Sequence, residues 1–240
     1  MSKFKYPTSS YVGLWTIVTF AGLVVRVLML CGRVKLIGFQ RVRETIRVGR
    51  RVMVAANHPS SLETWVIPVA LAWPRCLVHP REFPWSVLKE GVFPRWLRWT
   101  YPLVHCTPVD FRNPKKSPSG FRAAYDILAD GRVLVFYPEA GYTCDGRTFA
   151  EYADRRMQEL ATSAVPRMAR RSNALILPIR IDFEGVAQRL TMLRALMWVM
   201  RGHSMTIHIG KAYRVAEEHS SDEADRELEQ RILRAGAAED

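Results

Sequence analysis

The chain has 240 residues, 48% of them hydrophobic, and a length and composition of this kind are sufficient for one α/β core. Its four cysteines are dispersed and form no CxxC pair, which argues against disulfide stapling and favours a reducing, cytosolic-side location. The net charge is +12, made up of −6 in residues 217–240 (nine acids, three bases) and +18 before them, so the body attracts polyanions: nucleic acid, an anionic bilayer or acidic substrates.

The first predicted element is an apolar segment from Tyr11 to Gly32, in which Arg26 is the single charge. About 20 helical residues cross roughly 30 Å of hydrocarbon, so the segment predicts a membrane-associating helix. Arg26 and Met29 occupy the place where a secretory cleavage site needs small residues. We therefore expect a membrane anchor in residues 1–33 and one catalytic domain in residues 34–240. A buried core helix, or a helix lying in the interface instead of spanning, are the alternatives.

Short β-like runs then alternate with helical patterns. Strands are predicted at Val34–Phe39, Arg51–Ala56, Leu103–Val109, Arg132–Tyr137, Ala174–Ile181 and Met205–Ile209. Helices are predicted near Leu62–Ala72, Trp85–Trp99, Gly120–Ala129 and Ala153–Arg171, and a capping box at Ser220–Glu223 opens an acidic C-terminal helix. The loop at Asn113–Ser119 reads as a flexible surface element. This alternation predicts an α/β fold, a mixed sheet flanked by helices, with the hydrophobic membrane-associating helix at the N-terminus.

His58 lies at a predicted strand-to-helix junction, and Glu63 follows it after four intervening residues. A carboxylate in the first helical turn can reach back to the imidazole, fix its tautomer and stabilise the imidazolium, so that the other ring nitrogen accepts a hydroxyl proton. Ser60 and Ser61 are predicted to cap the helix. By itself such a pair is more often a structural hydrogen bond, and the surrounding sequence is what favours a catalytic one.

The stretch VMVAANHPSSLET resembles the first block of the 1-acylglycerol-3-phosphate acyltransferase family, a hydrophobic strand followed by Asn-His and then His-x4-Asp. Glu63 replaces the usual aspartate, a form also found in the related lipid A acyltransferases. The second family block resembles the stretch from Lys89 to Arg112, in which Arg112 lies one place beyond the usual arginine.

The third block, Phe-Pro-Glu-Gly-Thr-Arg-Ser followed by Asp-Gly, is similar without gaps to residues 137–143 and then to Asp145-Gly146-Arg147. Tyr142 stands where the family arginine binds the acceptor phosphate, and Arg147 is a candidate substitute. A fourth block, an apolar strand with a central proline, resembles Leu175–Ile179.

The resemblance implies a catalytic pair, His58 and Glu63, and a substrate-binding set comprising Lys89, Arg112, Glu139, Ala140, Gly141, Tyr142 and Arg147. It implies acyl transfer from acyl-CoA or acyl-carrier protein to a lysolipid hydroxyl, with 1-acylglycerol-3-phosphate as the leading acceptor and phosphatidic acid as the product. We expect membrane lipids and the acyl donor as partners, a location at the cytoplasmic face of a membrane, and no cofactor beyond the thioester co-substrate.

The sequence leaves two alternatives to this function. The acceptor can be a lyso-ornithine lipid or a glycolipid, because the motif arginine is missing. A non-enzymatic basic protein that binds membranes or nucleic acid would need basic and aromatic residues interleaved on one face, whereas the tryptophans fall mainly in apolar helix patterns, so we expect no nucleic acid. No metal site is expected either, because the histidines show no HExxH or Cys/His clustering.

Overall fold

A computed structural model of the chain describes residues 8–46, 50–79, 82–89, 99–101, 104–110, 118–139, 143, 149–152, 155–160, 163–184 and 192–237. The strands are β1 (Val34–Ile37), β2 (Val52–Ala56), β3 (Trp85–Lys89), β4 (Cys106–Val109), β5 (Val133–Phe136), β6 (Phe149–Tyr152), β7 (Arg155–Gln158), β8 (Leu175–Phe183) and β9 (Met205–Ile209). The α-helices are α1 (Thr8–Leu30), α2 (Gln40–Thr45), α3 (Glu63–Ala72), α4 (Pro118–Ala129), α5 (Ala164–Ser172), α6 (Met192–Met200) and α7 (Ser221–Arg234).

Seven strands form one mixed sheet in the order β1-β9-β8-β2-β5-β3-β4, and β6 pairs with β7 separately. Neighbouring strands of the large sheet run parallel except β8 and β9, which are antiparallel. The carboxyl ends of β8, β2, β5, β3 and β4 therefore lie along one edge. Because β1 and β9 run the opposite way, these two strands begin at that same edge.

Alternation along the buried strands divides the core into two layers. Val52, Val54 and Ala56 of β2 face a cluster that includes residues of α1, α3 and α6. Met53 and Ala55 face the opposite cluster, with residues of α4, α5 and α7. Period-two alternation between two helical layers explains why β2 is buried along its whole length. The predicted α/β fold with a mixed sheet flanked by helices is confirmed.

Helix α1 packs against α3 and buries Val18, Val25 and Leu28, whose spacing places them on one side of the helix. On its other side, Phe20, Leu23, Val27 and Leu30 are exposed. Across the part of the chain that is described, no helix combines the length and the apolar character needed to traverse a bilayer.

Two predicted helices are wrong in part. Trp85–Lys89, predicted to begin a helix, is strand β3, in which Trp85 and Val87 are buried and the aromatic and β-branched residues pair with β4 and β5. Only the end of the helix predicted at Ala153–Arg171 exists, because β7 and then α5 occupy this stretch. Pro166 supplies the reason. Proline is tolerated in the first turn of a helix, whereas a helix beginning at residue 153 would place it in the middle, where it breaks the backbone hydrogen bonding.

Other boundaries shift for local reasons. Helix α4 begins at Pro118, inside the loop predicted to extend to Ser119. The helices α2 and α6 were not predicted. The capping box of α7 is confirmed, because the Ser220 hydroxyl accepts from the Glu223 backbone N–H and the Glu223 carboxylate accepts from the Ser220 N–H at 2.7 Å.

Candidate active site

The candidate site lies at the carboxyl edge of the sheet, where His58 follows β2 and Glu139 follows β5. Lys89 ends β3, the next strand along, and its side chain is exposed. Open parallel sheets bind ligands beyond the carboxyl ends of their strands. The topology thus brings three of the predicted site residues to one edge, with Lys89 two strand spacings, roughly 10 Å, from β2.

The side chain of Asn57, the residue before His58, forms hydrogen bonds to the backbone of β8 like those of a neighbouring strand. The amide nitrogen of Asn57 donates to the Ile181 carbonyl at 3.0 Å, and its Oδ1 accepts from the Ile181 N–H at 2.7 Å. Asn57 is buried, so both of its polar atoms are satisfied inside the protein. This pair of bonds continues the pairing of β2 with β8 by one residue and fixes where the His58 loop departs.

His58 Nδ1 lies 2.7 Å from Glu63 Oε1, the distance of a charge-assisted hydrogen bond. Glu63 is completely buried, whereas the His58 side chain is 16% exposed. Glu63 is also the first residue of α3, and the partial positive charge of a helix N-terminus stabilises a carboxylate there. The hydrogen bond predicted from the spacing of these two residues is therefore present.

Ser60 holds the Glu63 carboxylate from the other side. Its backbone N–H donates to Glu63 Oε1 at 2.7 Å, and its hydroxyl donates to Oε2. The same hydroxyl oxygen accepts from the Leu62 N–H at 3.0 Å. The prediction that Ser60 and Ser61 cap α3 is wrong, because the N-cap residue is Leu62 and no side chain caps this helix. The serine hydroxyl is used to orient the carboxylate instead.

Residues after β5 contact the His58 loop. Glu139 Oε1 lies 3.3 Å from the His58 N–H and accepts from the Thr143 hydroxyl at 3.0 Å. The Thr143 N–H donates to the His58 carbonyl at 2.9 Å. The Tyr137 ring stacks on the imidazole with 4.5 Å between ring centres, and its hydroxyl donates to the Glu63 carbonyl at 3.2 Å.

Glu139 has a strongly perturbed acidity. Burial raises its pKa to about 8, the negative charge of Glu63 acts in the same direction, and the hydrogen bonds from Thr143 and from the His58 backbone act against it. Only 1% of Glu139 is exposed. At neutral pH Glu139 is therefore mainly protonated.

This arrangement is suited to removing a proton from a hydroxyl. Glu63 orients the imidazole through Nδ1, which leaves Nε2 as the ring nitrogen that can take up a proton. The amides of Ser60 and Leu62 already donate inside the loop, so a developing oxyanion would need other donors. Among the described residues, no group of three or more His, Cys, Asp or Glu side chains is placed to bind a metal ion.

The remaining predicted site residues, Arg112, Ala140, Gly141, Tyr142 and Arg147, lie outside the described residues. Four residues around the pair were not predicted to support it: Asn57, Ser60, Tyr137 and Thr143. All four lie within the two motif stretches, and this position was the only sequence feature that could have indicated a role for them. Their contacts could not be predicted, because they depend on how β2, β5 and β8 are brought together.

Comparisons with known proteins identify a family and a similar fold. A family profile described as Acyltransferase matches residues 38–182, which include β2, α3 and β5. Among solved structures, the 1-acyl-sn-glycerophosphate (LPA) acyltransferase PlsC from Thermotoga maritima is similar, with a TM-score of 0.58 and 16% identity over 92% of this chain and 77% of that chain. No curated protein matches the sequence significantly.

Proposed function

Since this chain belongs to the acyltransferase family, we propose that it transfers a fatty acyl group from acyl-CoA or acyl-carrier protein to the free hydroxyl of 1-acylglycerol-3-phosphate, giving phosphatidic acid. The contact between His58 and Glu63 carries the proposal. A buried carboxylate, held by two bonds from Ser60, orients a partly exposed imidazole at the edge of the sheet where ligands bind.

The reaction needs one proton transfer in each direction. Nε2 of His58 takes the proton of the acceptor hydroxyl as its oxygen attacks the thioester carbonyl carbon. Glu63 stabilises the imidazolium that forms. When the tetrahedral intermediate collapses, the carbon–sulfur bond breaks, and the imidazolium returns the proton to the departing thiolate. The ester and the free thiol of the donor are the products, and His58 is again neutral.

A phosphate on the acceptor is favoured by the charge near the site. Lys89 is exposed at the same sheet edge as His58, and the sequence places Arg147 shortly after the stretch that contains Glu139. Tyr142, at the position of the family arginine, can donate one hydrogen bond but carries no charge. We assign the phosphate contact to these cations, with a phosphate-free lysolipid as the alternative acceptor.

We also propose that α1 binds the bilayer through its exposed face. Four apolar side chains of this face, Phe20, Leu23, Val27 and Leu30, are between 55% and 77% exposed, and the exposed Arg26 lies beside them. Their spacing of three or four residues places them on one side of the helix. Burying the exposed parts of four such side chains stabilises binding by roughly 1–2 kcal/mol each before the costs of association. Arg33 and Lys35, next in the chain, add attraction to anionic headgroups.

The topology connects this face to the candidate site. Helix α1 leads into β1, which begins at the edge where β2 ends, three strand spacings or about 15 Å away. The end of α6 lies at the same edge, where the Arg33 guanidinium donates to the Gly202 carbonyl and Met200 is 71% exposed. A bilayer held by these ends would present lysolipid beside His58, at what we propose is the cytoplasmic face of the membrane.

The test is acyl transfer by the purified full chain in mixed micelles, with acyl-CoA or acyl-carrier protein as donor and mass spectrometry of the lipid products. His58→Ala should lower kcat at least ~10²–10⁴-fold, the contribution of a positioned general base. His79→Ala, which changes an exposed histidine, is the matched control. A folded His58→Ala variant with near-native activity would exclude this mechanism. Equal turnover of phosphate-bearing, ornithine and glycolipid acceptors would exclude the phosphate preference alone.

A further inference from the structure

Tyr137 touches both members of the catalytic pair from a third element. It follows β5, and only 5% of its surface is exposed. Its ring stacks on the His58 imidazole at 4.5 Å with 28° between the planes, and its hydroxyl donates to the Glu63 backbone carbonyl. A residue this buried is enclosed by protein and has little surface left for a substrate.

The two contacts restrict different motions. The hydrogen bond between His58 Nδ1 and Glu63 fixes one atom of the imidazole, so the ring can still tilt about that bond. A ring stacked on its face opposes the tilt, because an offset stack is lost when the planes separate. The phenol hydroxyl joins the end of β5 to the first turn of α3, which keeps the Glu63 backbone at a fixed distance from the His58 ring.

We propose that Tyr137 is a positioning residue for acyl transfer, whose ring holds the plane of His58 so that Nε2 points toward the acceptor hydroxyl. This inference rests on the proposed function. Nε2 must approach the hydroxyl within hydrogen-bond reach, and a misplacement of about 1 Å costs on the order of 10²-fold in rate. Tyr137 should therefore affect kcat much more than it affects substrate binding.

Three substitutions distinguish the effect of the Tyr137 ring on activity from the effect of its hydroxyl and from a general loss of stability. Tyr137→Leu removes both contacts and should lower kcat ~10- to 100-fold, with KM for donor and acceptor changed less than about 3-fold. Tyr137→Phe keeps the stack and should restore kcat to within about 5-fold of the native value. Phe136→Leu is the matched control, because Phe136 is the preceding residue, is fully buried and faces the other core layer.

A second readout does not depend on turnover. Nitrogen-15 NMR reports which imidazole nitrogen carries the proton, and His58→Ala assigns the signal. The native chain and Tyr137→Phe should show one tautomer, protonated on the nitrogen that donates to Glu63. Tyr137→Leu should show a mixture of tautomers or exchange broadening.

The outcomes distinguish this inference from the proposed function. If His58→Ala stays active, the proposed function fails. If His58→Ala is inactive but Tyr137→Leu matches Phe136→Leu in kcat and keeps a single tautomer, the positioning role is overturned and the proposed function stands. Combining His58→Ala with Tyr137→Leu should cause no further loss, because residues acting through one group are not additive. An additional loss of 10-fold or more would also overturn the inference.

Discussion

Replacing Glu139 with glutamine should change how the stability of the protein depends on pH. The ordinary pKa of this carboxyl is 4.5, and burial raises it in the folded protein to about 8. The folded state therefore keeps a proton that the unfolded chain loses above pH 4.5. The stabilising contribution is complete below pH 4.5 and is lost as the pH rises through 8. Glu139→Gln has no such proton, so its stability should lack this component.

The magnitude follows from the two pKa values. One unit of pKa difference corresponds to about 1.4 kcal/mol. At every pH between the two pKa values, Glu139 is protonated in a larger fraction of folded molecules than of unfolded ones. Between pH 5 and pH 7.5 the free energy of unfolding of the native chain should fall by about 3 kcal/mol relative to Glu139→Gln. Because Glu139 is 1% exposed, solvent screening does not reduce this figure appreciably.

The measurement is urea denaturation of both proteins at half-unit steps from pH 5 to pH 7.5, with unfolding monitored by tryptophan fluorescence. The difference between the two stabilities at each pH removes the contribution of other titrating groups. Glu44→Gln, which removes an exposed carboxyl from α2, controls for the change of net charge. Parallel curves for the native chain and Glu139→Gln over the whole range would show that Glu139 does not hold a proton, and the reasoning from burial would be refuted.

The remaining predictions concern the catalytic carboxylate, the bilayer and the acceptor. Glu63→Asp should retain partial activity and Glu63→Ala should not, measured as kcat for acyl transfer; equal rates would remove Glu63 from the mechanism. Phe20→Gln combined with Leu23→Gln should weaken sedimentation with anionic vesicles and leave activity in detergent micelles intact, and undiminished sedimentation would place the bilayer contact elsewhere. Arg147→Ala should raise KM for 1-acylglycerol-3-phosphate about 10-fold or more, the worth of a charged hydrogen bond, without changing KM for the donor. If it does not, and Tyr142→Arg improves use of this acceptor, the native acceptor is a different lysolipid.

Local sequence patterns predicted the hydrogen bond between His58 and Glu63 because its geometry is local. His58 and Glu63 are separated by one strand-to-helix turn, so spacing alone places the carboxylate beside the ring. The capping box of α7 was predicted for the same reason, since Ser220 and Glu223 lie within one helical turn.

The contacts that hold the pair in place join residues far apart in the chain. Tyr137 is 74 residues from Glu63, and Ile181 is 124 residues from Asn57. No spacing rule connects such positions, because the order in which β8, β2 and β5 lie side by side is a property of the whole sheet. Strand β3 was mispredicted for a related reason. Trp85 and Val87 are held in a strand by pairing with β4 and β5, and this pairing outweighs the helical spacing of the local sequence.

The length of the Glu63 side chain matches the contacts that its carboxylate makes, at a position where the family has aspartate. Its Oε1 accepts from His58 Nδ1 and from the Ser60 N–H, both at 2.7 Å, while Oε2 accepts from the Ser60 hydroxyl. An aspartate is shorter by one carbon–carbon bond, about 1.5 Å. It would have to give up either the imidazole or one serine contact unless α3 moved toward the loop. Tyr137 opposes that movement, because its hydroxyl joins the first turn of α3 to the end of β5. The glutamate thus sets the reach of the carboxylate, and the tyrosine hydroxyl supplies one of the contacts that keep the helix at that distance.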